Sequence, residues 1–167
     1  LDTNESFLNN DLDINFIEPY PDLLLSLITK KDKQNSEVID EKLQDVPLSR
    51  FSSLAENDIL FIDSTHVAKS GSDVNYIFSE ILPALNKGVL IHFHDIFHTF
   101  EYPKNWLEEG RNWNEIYMLR SFMQYNSHFE IIMFNNLLNS VFEKEIELQY
   151  PLMCKNKGGS IWIKKVA

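Results

Sequence analysis

The sequence predicts an α/β fold: a mostly parallel sheet with an antiparallel C-terminal strand and helices on both faces. Three observations predict it. Short apolar runs alternate with amphipathic stretches along the 167 residues, which is the pattern of βαβ units. Three of those runs stop on a carboxylate, at Glu18, Asp63 and Asp95. Gly158-Gly159 stands directly before the last apolar run, as a turn into an antiparallel strand requires.

Ile14–Glu18 reads as the first strand. Pro19-Tyr20-Pro21-Asp22 then opens a helix, since proline is tolerated in a first turn, and Leu23, Leu24, Leu27 and Ile28 form its apolar face. Ser36–Leu43 holds a short strand, closed by Gln44-Asp45-Val46-Pro47, and Leu48–Leu54 a short helix. Asp58–Asp63 is a buried strand. Asp73–Leu85 is a helix with Val74, Ile77, Ile81 and Leu82 on one face. Asp73 is its expected N-cap, and Asn86-Lys87-Gly88 is its stop. Val89–Asp95 is another buried strand. A polar and aromatic segment, Ile96–Asn114, leads into a helix that runs to about Tyr125. Phe129–Phe134 reads as a strand, Leu137–Glu145 as helical and Ser160–Val166 as the last strand.

In open α/β sheets, ligands bind outside the C-terminal ends of the strands. The three carboxylates are therefore expected on one functional rim. Composition excludes other classes. Fifteen Lys and Arg against 25 Asp and Glu give a formal charge of −10, which repels phosphate backbones and argues against nucleic-acid binding. The one basic run, Lys30-Lys31-Asp32-Lys33, reads as a solvated helix end. No apolar stretch is long enough to span a membrane, and no signal-peptide pattern opens the chain. One cysteine, Cys154, makes neither an internal disulfide nor a cysteine-based zinc site. The reading is a single cytoplasmic domain over 1–167.

Several short motifs occur in order. Asp63-Ser64-Thr65-His66 follows the strand at 58–63, Leu85-Asn86-Lys87-Gly88 ends the next helix, and His94-Asp95 ends the next strand. The segment FEYPKNWLEEGRNWNEIY, Phe100–Tyr117, follows. This ordered set resembles class I methyltransferases of the kind called methyltransferase family 24, from about Ile14 to Phe134. The resemblance implies a Rossmann-like methyltransferase sheet and S-adenosylmethionine (SAM) as cofactor. It implies that Glu18 binds the ribose hydroxyls, a task suited to a carboxylate that accepts two hydrogen bonds. It also implies that Asp45 meets the adenine amino group and that Asp63 lies beside the methionine end or the acceptor. The family's glycine-rich turn follows a first, central strand and should precede Ile14. The 13 residues there contain no glycine, so the chain reads as an N-terminally incomplete domain, its C-terminal two-thirds. Without that strand, either the Glu18 and Asp63 strands pair directly or a partner chain fills the gap.

Asp63, His66, His92, His94 and Asp95 come from two strand ends expected to be neighbours. His66 is a candidate general base, because its unperturbed pKa lies near neutrality; the alternative is that it caps its own loop. His94 and Asp63 are the other catalytic candidates. Related O-methyltransferases hold Mg²⁺ with acids at these strand ends, which makes Asp63, His94 and Asp95 a candidate set for a divalent metal, although imidazole at one position favours Zn, Fe, Ni or Mn over Mg. His92 lies deeper and reads as a satisfied core histidine. Trp106 and Trp113 read as packing, Arg111 as taking a polar role, and His98 and His128 as surface residues. No role falls to Cys154.

The expected activity is methyl transfer to oxygen or nitrogen of a small molecule or sugar. A non-catalytic interaction module of the same fold and a metal-dependent hydrolase are the rival readings. A homo-oligomer is compatible with all three.

Overall fold

The computed structural model describes residues 1–155 and 157–167. The chain divides into two compact units, Leu1–Pro47 and Leu48–Ala167. Together they give a mixed α/β protein with parallel and antiparallel strands.

The first unit contains α1 (Asp2–Phe7), β1 (Ile14–Ile17), α2 (Asp22–Leu27) and β2 (Ser36–Ile39), with 3₁₀ turns at Asp32–Gln34 and Leu43–Asp45. β1 and β2 pair in parallel from Ile14↔Ser36 to Ile17↔Ile39. The ladder extends one step further, because the Glu18 N–H donates to the Ile39 carbonyl at 3.1 Å. Asn4 ties α1 to the chain entering β1: its Nδ2 donates to the Leu12 carbonyl and its Oδ1 accepts from the Leu12 N–H. α2 begins after Pro21 as predicted, but its expected apolar face is not packed. None of its residues is buried, and Leu23 and Leu27 are exposed. A helix of six residues is too short to be held by its own hydrogen bonds. Lys31, in the basic run, is exposed and pairs with Glu5.

The second unit contains α3 (Ser49–Ser52), β3 (Ile59–Ile62), α4 (Asp73–Tyr76), a π-helical turn (Ile77–Ile81), α5 (Leu82–Ala84), β4 (Leu90–His94), α6 (Lys104–Glu108), α7 (Glu115–Met123), β5 (Phe129–Phe134), α8 (Asn135–Val141), α9 (Glu143–Gln149) and β6 (Ser160–Lys165). Its sheet has the order β3-β4-β6-β5. β3 and β4 are parallel, and β6 is antiparallel to both of its neighbours. The predicted antiparallel end is therefore present. β1 and β2 form one sheet and β3 to β6 another.

Apolar burial explains the packing of one face of this sheet. Ile91 and Phe93 of β4, with Ile161 and Ile163 of β6, are fully buried. The helical run Asp73–Ala84 buries Val74, Ile77, Ile81 and Leu82, the four residues that the periodicity selects, and Phe78 stacks on Phe93 with ring centroids 5.5 Å apart. Pro83 has no N–H to continue the helical ladder, and the π turn lies directly before its short segment. Carbonyls left open at the end of that segment are met by Lys165, whose Nζ donates to Leu82 O and Pro83 O at 3.2 and 2.7 Å. The stop at Gly88 also has a steric reason. Its φ is +92°, and a Cβ there would lie 2.6 Å from Glu56 Cγ. On the opposite face Ile59 and Phe61 are 50% and 58% exposed.

The helix start corrects a second expectation. Ser72, not Asp73, is the N-cap of α4: its Oγ accepts from the Asn75 N–H at 3.2 Å and from the Lys69 N–H at 3.1 Å. Asp73 instead reaches the preceding loop. It accepts from the Thr65 N–H at 2.8 Å and from Thr65 Oγ at 2.6 Å. Ser72→Ala should therefore destabilise the fold by about 1 kcal/mol, read as a lowered urea midpoint; an unchanged midpoint would show the cap to be inert. Among the described residues, no helix is long and apolar enough to cross a membrane.

Candidate active site

β3 and β4 run parallel in register, with Ile62 opposite Phe93. The residues that follow them therefore emerge on one edge of the sheet. Asp63 follows β3 and Asp95 follows β4, with His66 three residues beyond Asp63. Two of these residues hold an uncommon backbone conformation: His66 has φ +58° and Asp95 φ +55°. Left-handed φ in a residue with a Cβ persists only where its surroundings enforce it, and such residues cluster at functional sites.

The surroundings of His66 supply that enforcement. Its N–H donates to Ser64 Oγ at 2.8 Å. Its carbonyl accepts from the Asn114 and Glu115 N–H groups at 2.9 and 3.2 Å, two of the donors that the start of α7 would otherwise leave open. Asn114 also clasps the loop further on: its Oδ1 accepts from the Ala68 N–H at 2.6 Å and its Nδ2 donates to the Ala68 carbonyl at 3.2 Å. The loop 64–68 is thus fastened by α7 on one side and by Asp73 on the other.

The imidazole is buried and oriented. Its Nδ1 lies 2.8 Å from Glu115 Oε2, and the other oxygen of that carboxylate, Oε1, accepts from Ser64 Oγ at 2.9 Å. Glu115 is only 1% exposed. A buried carboxylate survives where it is hydrogen-bonded, and the first turn of a helix favours its negative charge. The other ring nitrogen, Nε2, faces the strand ends, 3.4 Å from Asp63 Oδ1 and 3.9 Å from Asp95 Oδ2. Burial disfavours the imidazolium, but the hydrogen bond and charge of Glu115, with the charges of Asp95 and Asp63, outweigh it. The pKa of His66 is raised above its ordinary 6.5. The main chain of His66 is thus hydrogen-bonded by Ser64, Asn114 and Glu115, and its ring Nε2 faces Asp63 and Asp95.

Trp113 lies against the His66 ring at 4.2 Å between centroids, and Trp106 meets Trp113 edge-on at 5.4 Å. Arg111 stacks on both, 4.4 Å from the Trp106 ring and 5.2 Å from the Trp113 ring, and pairs with Glu109 at 3.1 Å. Packing is the observed role of both tryptophans, and they wall the side of the site made by the 96–114 segment.

The remaining candidates are dispersed. His94 is half-exposed, with Nε2 3.5 Å from Asp95 Oδ1. His92 is buried but not satisfied, against expectation: among the described residues neither ring nitrogen has a hydrogen-bond partner, and the ring lies between Phe61 at 4.3 Å and Trp162 at 4.7 Å. Burial, with His94 nearby, holds its pKa down to about 4. His98 and His128 are exposed, as predicted. Among the described residues, no three His, Cys, Asp or Glu side chains are grouped to hold a metal ion. Asp63, His94 and Asp95 do not form the expected metal set as arranged; Asp63 and Asp95 face His66 Nε2 instead. No chemical step is therefore assigned to a metal.

The SAM candidates lie in the first unit. Glu18 follows β1, half-buried, with Oε1 accepting from the Tyr20 N–H at 2.9 Å. Asp45 is exposed at the end of the turn Leu43–Asp45 that follows β2. Both follow parallel, in-register strands. Their chemistry fits a nucleoside: one carboxylate for a diol and one exposed carboxylate for an amino group.

Sequence reasoning gave Glu115 no tie to His66. The two are 49 positions apart, and the only local signal is an acid opening an apolar helix, which reads equally well as a helix-dipole residue.

A family described as a methyltransferase domain matches residues 7–96, a stretch that contains Glu18, Asp45, Asp63, His66, His94 and Asp95. An uncharacterized protein of Archaeoglobus fulgidus is similar, 45% identical over 60 residues. That stretch is 35% of this chain, and it spans only 26% of the relative's length. No solved structure matches with significance. More than half of the chain matches the family: the protein belongs to the methyltransferase-domain family.

Proposed function

We propose that the protein is a SAM-dependent methyltransferase that acts on oxygen or nitrogen of a small-molecule or sugar acceptor. The observation that supports this most is the meeting of His66 Nε2 with Asp63 and Asp95 beyond the ends of two adjacent parallel strands. That is where open α/β sheets bind ligands. The family match runs through both units, and within the second unit the order β3-β4-β6-β5 with an antiparallel last strand supports a Rossmann-like reading.

Glu18 holds the ribose hydroxyls and Asp45 the adenine amino group. SAM supplies a methyl group bound to positively charged sulfur. Asp63 and Asp95 orient the acceptor beside His66 by hydrogen bonds. SAM held there would supply its methyl group to the acceptor atom, and the proton leaving that atom would pass to His66 Nε2. Holding the partners in line accounts for most of the acceleration in such a transfer, and the base adds to it.

Titration calorimetry of the native gene product with SAM tests the cofactor assignment. Binding is expected, with Glu18→Ala about tenfold to a hundredfold weaker, the usual loss for a hydrogen-bonded charged group. A folded protein that binds neither SAM nor its demethylated product would overturn the proposal.

A further inference from the structure

We propose that Glu115 is a positioning residue: it accepts the Nδ1–H of His66, selects that tautomer, and so leaves Nε2 as the proton-accepting nitrogen aimed at Asp63 and Asp95. For the reaction served, this rests on the methyltransferase reading; for the tautomer, it stands on geometry alone.

A neutral imidazole carries its one proton on either nitrogen, and the hydrogen bond made by one nitrogen decides which. A carboxylate has no proton to give when ionised and can only accept. Glu115 Oε2 at 2.8 Å from Nδ1 therefore requires the proton to be on Nδ1. Rotation of the carboxylate away is resisted, because Oε1 is held by Ser64 Oγ, and Ser64 Oγ also receives the His66 N–H. Rotation of the ring is resisted by Trp113 packed against it. Glu115 is carried on α7, whose first N–H groups hold the His66 carbonyl. The ring and the main chain of His66 are thus fixed by one helix start. The charged groups that face the ring are Glu115 from α7, Asp63 beyond β3 and Asp95 beyond β4. Of these three, Glu115 touches Nδ1 and both aspartates lie toward Nε2. The second pair of contacts has the looser distances that a site awaiting a proton-bearing ligand shows.

The test is nitrogen NMR of the imidazole rings at alkaline pH, where histidine is neutral. The His66 signals are assigned by their loss in His66→Asn. In the native protein, Nδ1 should show the shift of a protonated ring nitrogen and Nε2 that of an unprotonated one. The reverse pattern overturns the proposal, whatever the variants do. Glu115→Gln keeps an accepting oxygen, so the tautomer should persist while kcat falls about tenfold with KM little changed. In Glu115→Leu, monitored for folding by circular dichroism, the proton should move to Nε2 and kcat should fall further. A folded Glu115→Leu protein that keeps the native tautomer overturns the proposal. The native tautomer in a protein that never transfers methyl from SAM upholds the positioning role and removes the methyltransferase reading alone, so the two failures are distinct.

Discussion

His66→Asn should lower kcat/KM for methyl transfer by about 10²–10⁴-fold, the contribution typical of a positioned general base, while leaving SAM affinity within a factor of about two. Asparagine is the informative replacement. His66 has φ +58°, and asparagine visits the left-handed region with less strain than most residues, so the loop from Ser64 to Ala68 keeps its course. The shorter amide leaves Glu115 without its ring partner. A lower melting temperature is therefore expected, and rates belong well below it. The pH dependence has a definite sign. A base acts only when neutral, so activity should rise with pH through the raised pKa of His66, placing the rising limb above 6.5. The variant should show no such limb. Equal rates for native and variant protein across that range would exclude His66 as the base.

The local features of this fold were legible from residue patterns, because local patterns report local structure. Short apolar runs locate β1 to β6, and the face of the 73–84 helical run is read residue by residue, since Val74, Ile77, Ile81 and Leu82 are all buried. Acids at strand ends marked Asp63 and Asp95 as rim residues. What was not legible is who meets whom. Asp73 and Ser72 are both good caps, and the choice between them was settled by Thr65, which draws Asp73 into the loop. Leu23 and Leu27 have helical spacing, but spacing shows which side of a helix is apolar and not whether anything covers it. Glu115 is the sharpest case. Its partnership with His66 depends on where α7 begins in space, and neither residue's neighbours along the chain contain that information.

His92 should make the fold acid-sensitive between pH 6.5 and about 4, and His92→Phe should remove most of that sensitivity. In the folded protein its pKa is lowered to about 4 from 6.5. Above pH 6.5 the ring is neutral in both states and contributes no pH dependence. As pH falls, the unfolded chain takes up a proton that the folded protein refuses, so stability falls until the folded ring also protonates near pH 4. The loss approaches about 3 kcal/mol at the lower end, a large fraction of the stability of a typical domain. His66 acts with the opposite sign. Its raised pKa contributes stability that is full below 6.5 and is lost as pH rises through the raised value. Acid lability therefore cannot come from His66 and must be sought at groups like His92. Phenylalanine suits the site, because the ring already lies stacked on Phe61 at an interplanar angle of 8° with Trp162 edge-on to it, and both of its nitrogens lack partners. Replacing an unsatisfied buried polar group by an apolar one of similar shape is neutral or stabilising. Urea unfolding at about pH 4.5 and at pH 7.5 measures the difference: the native protein should lose stability between the two, and His92→Phe should lose about 2–3 kcal/mol less. The same acid loss in both proteins would show that His92 is solvated and protonates freely, and that its burial does not govern the stability of this sheet.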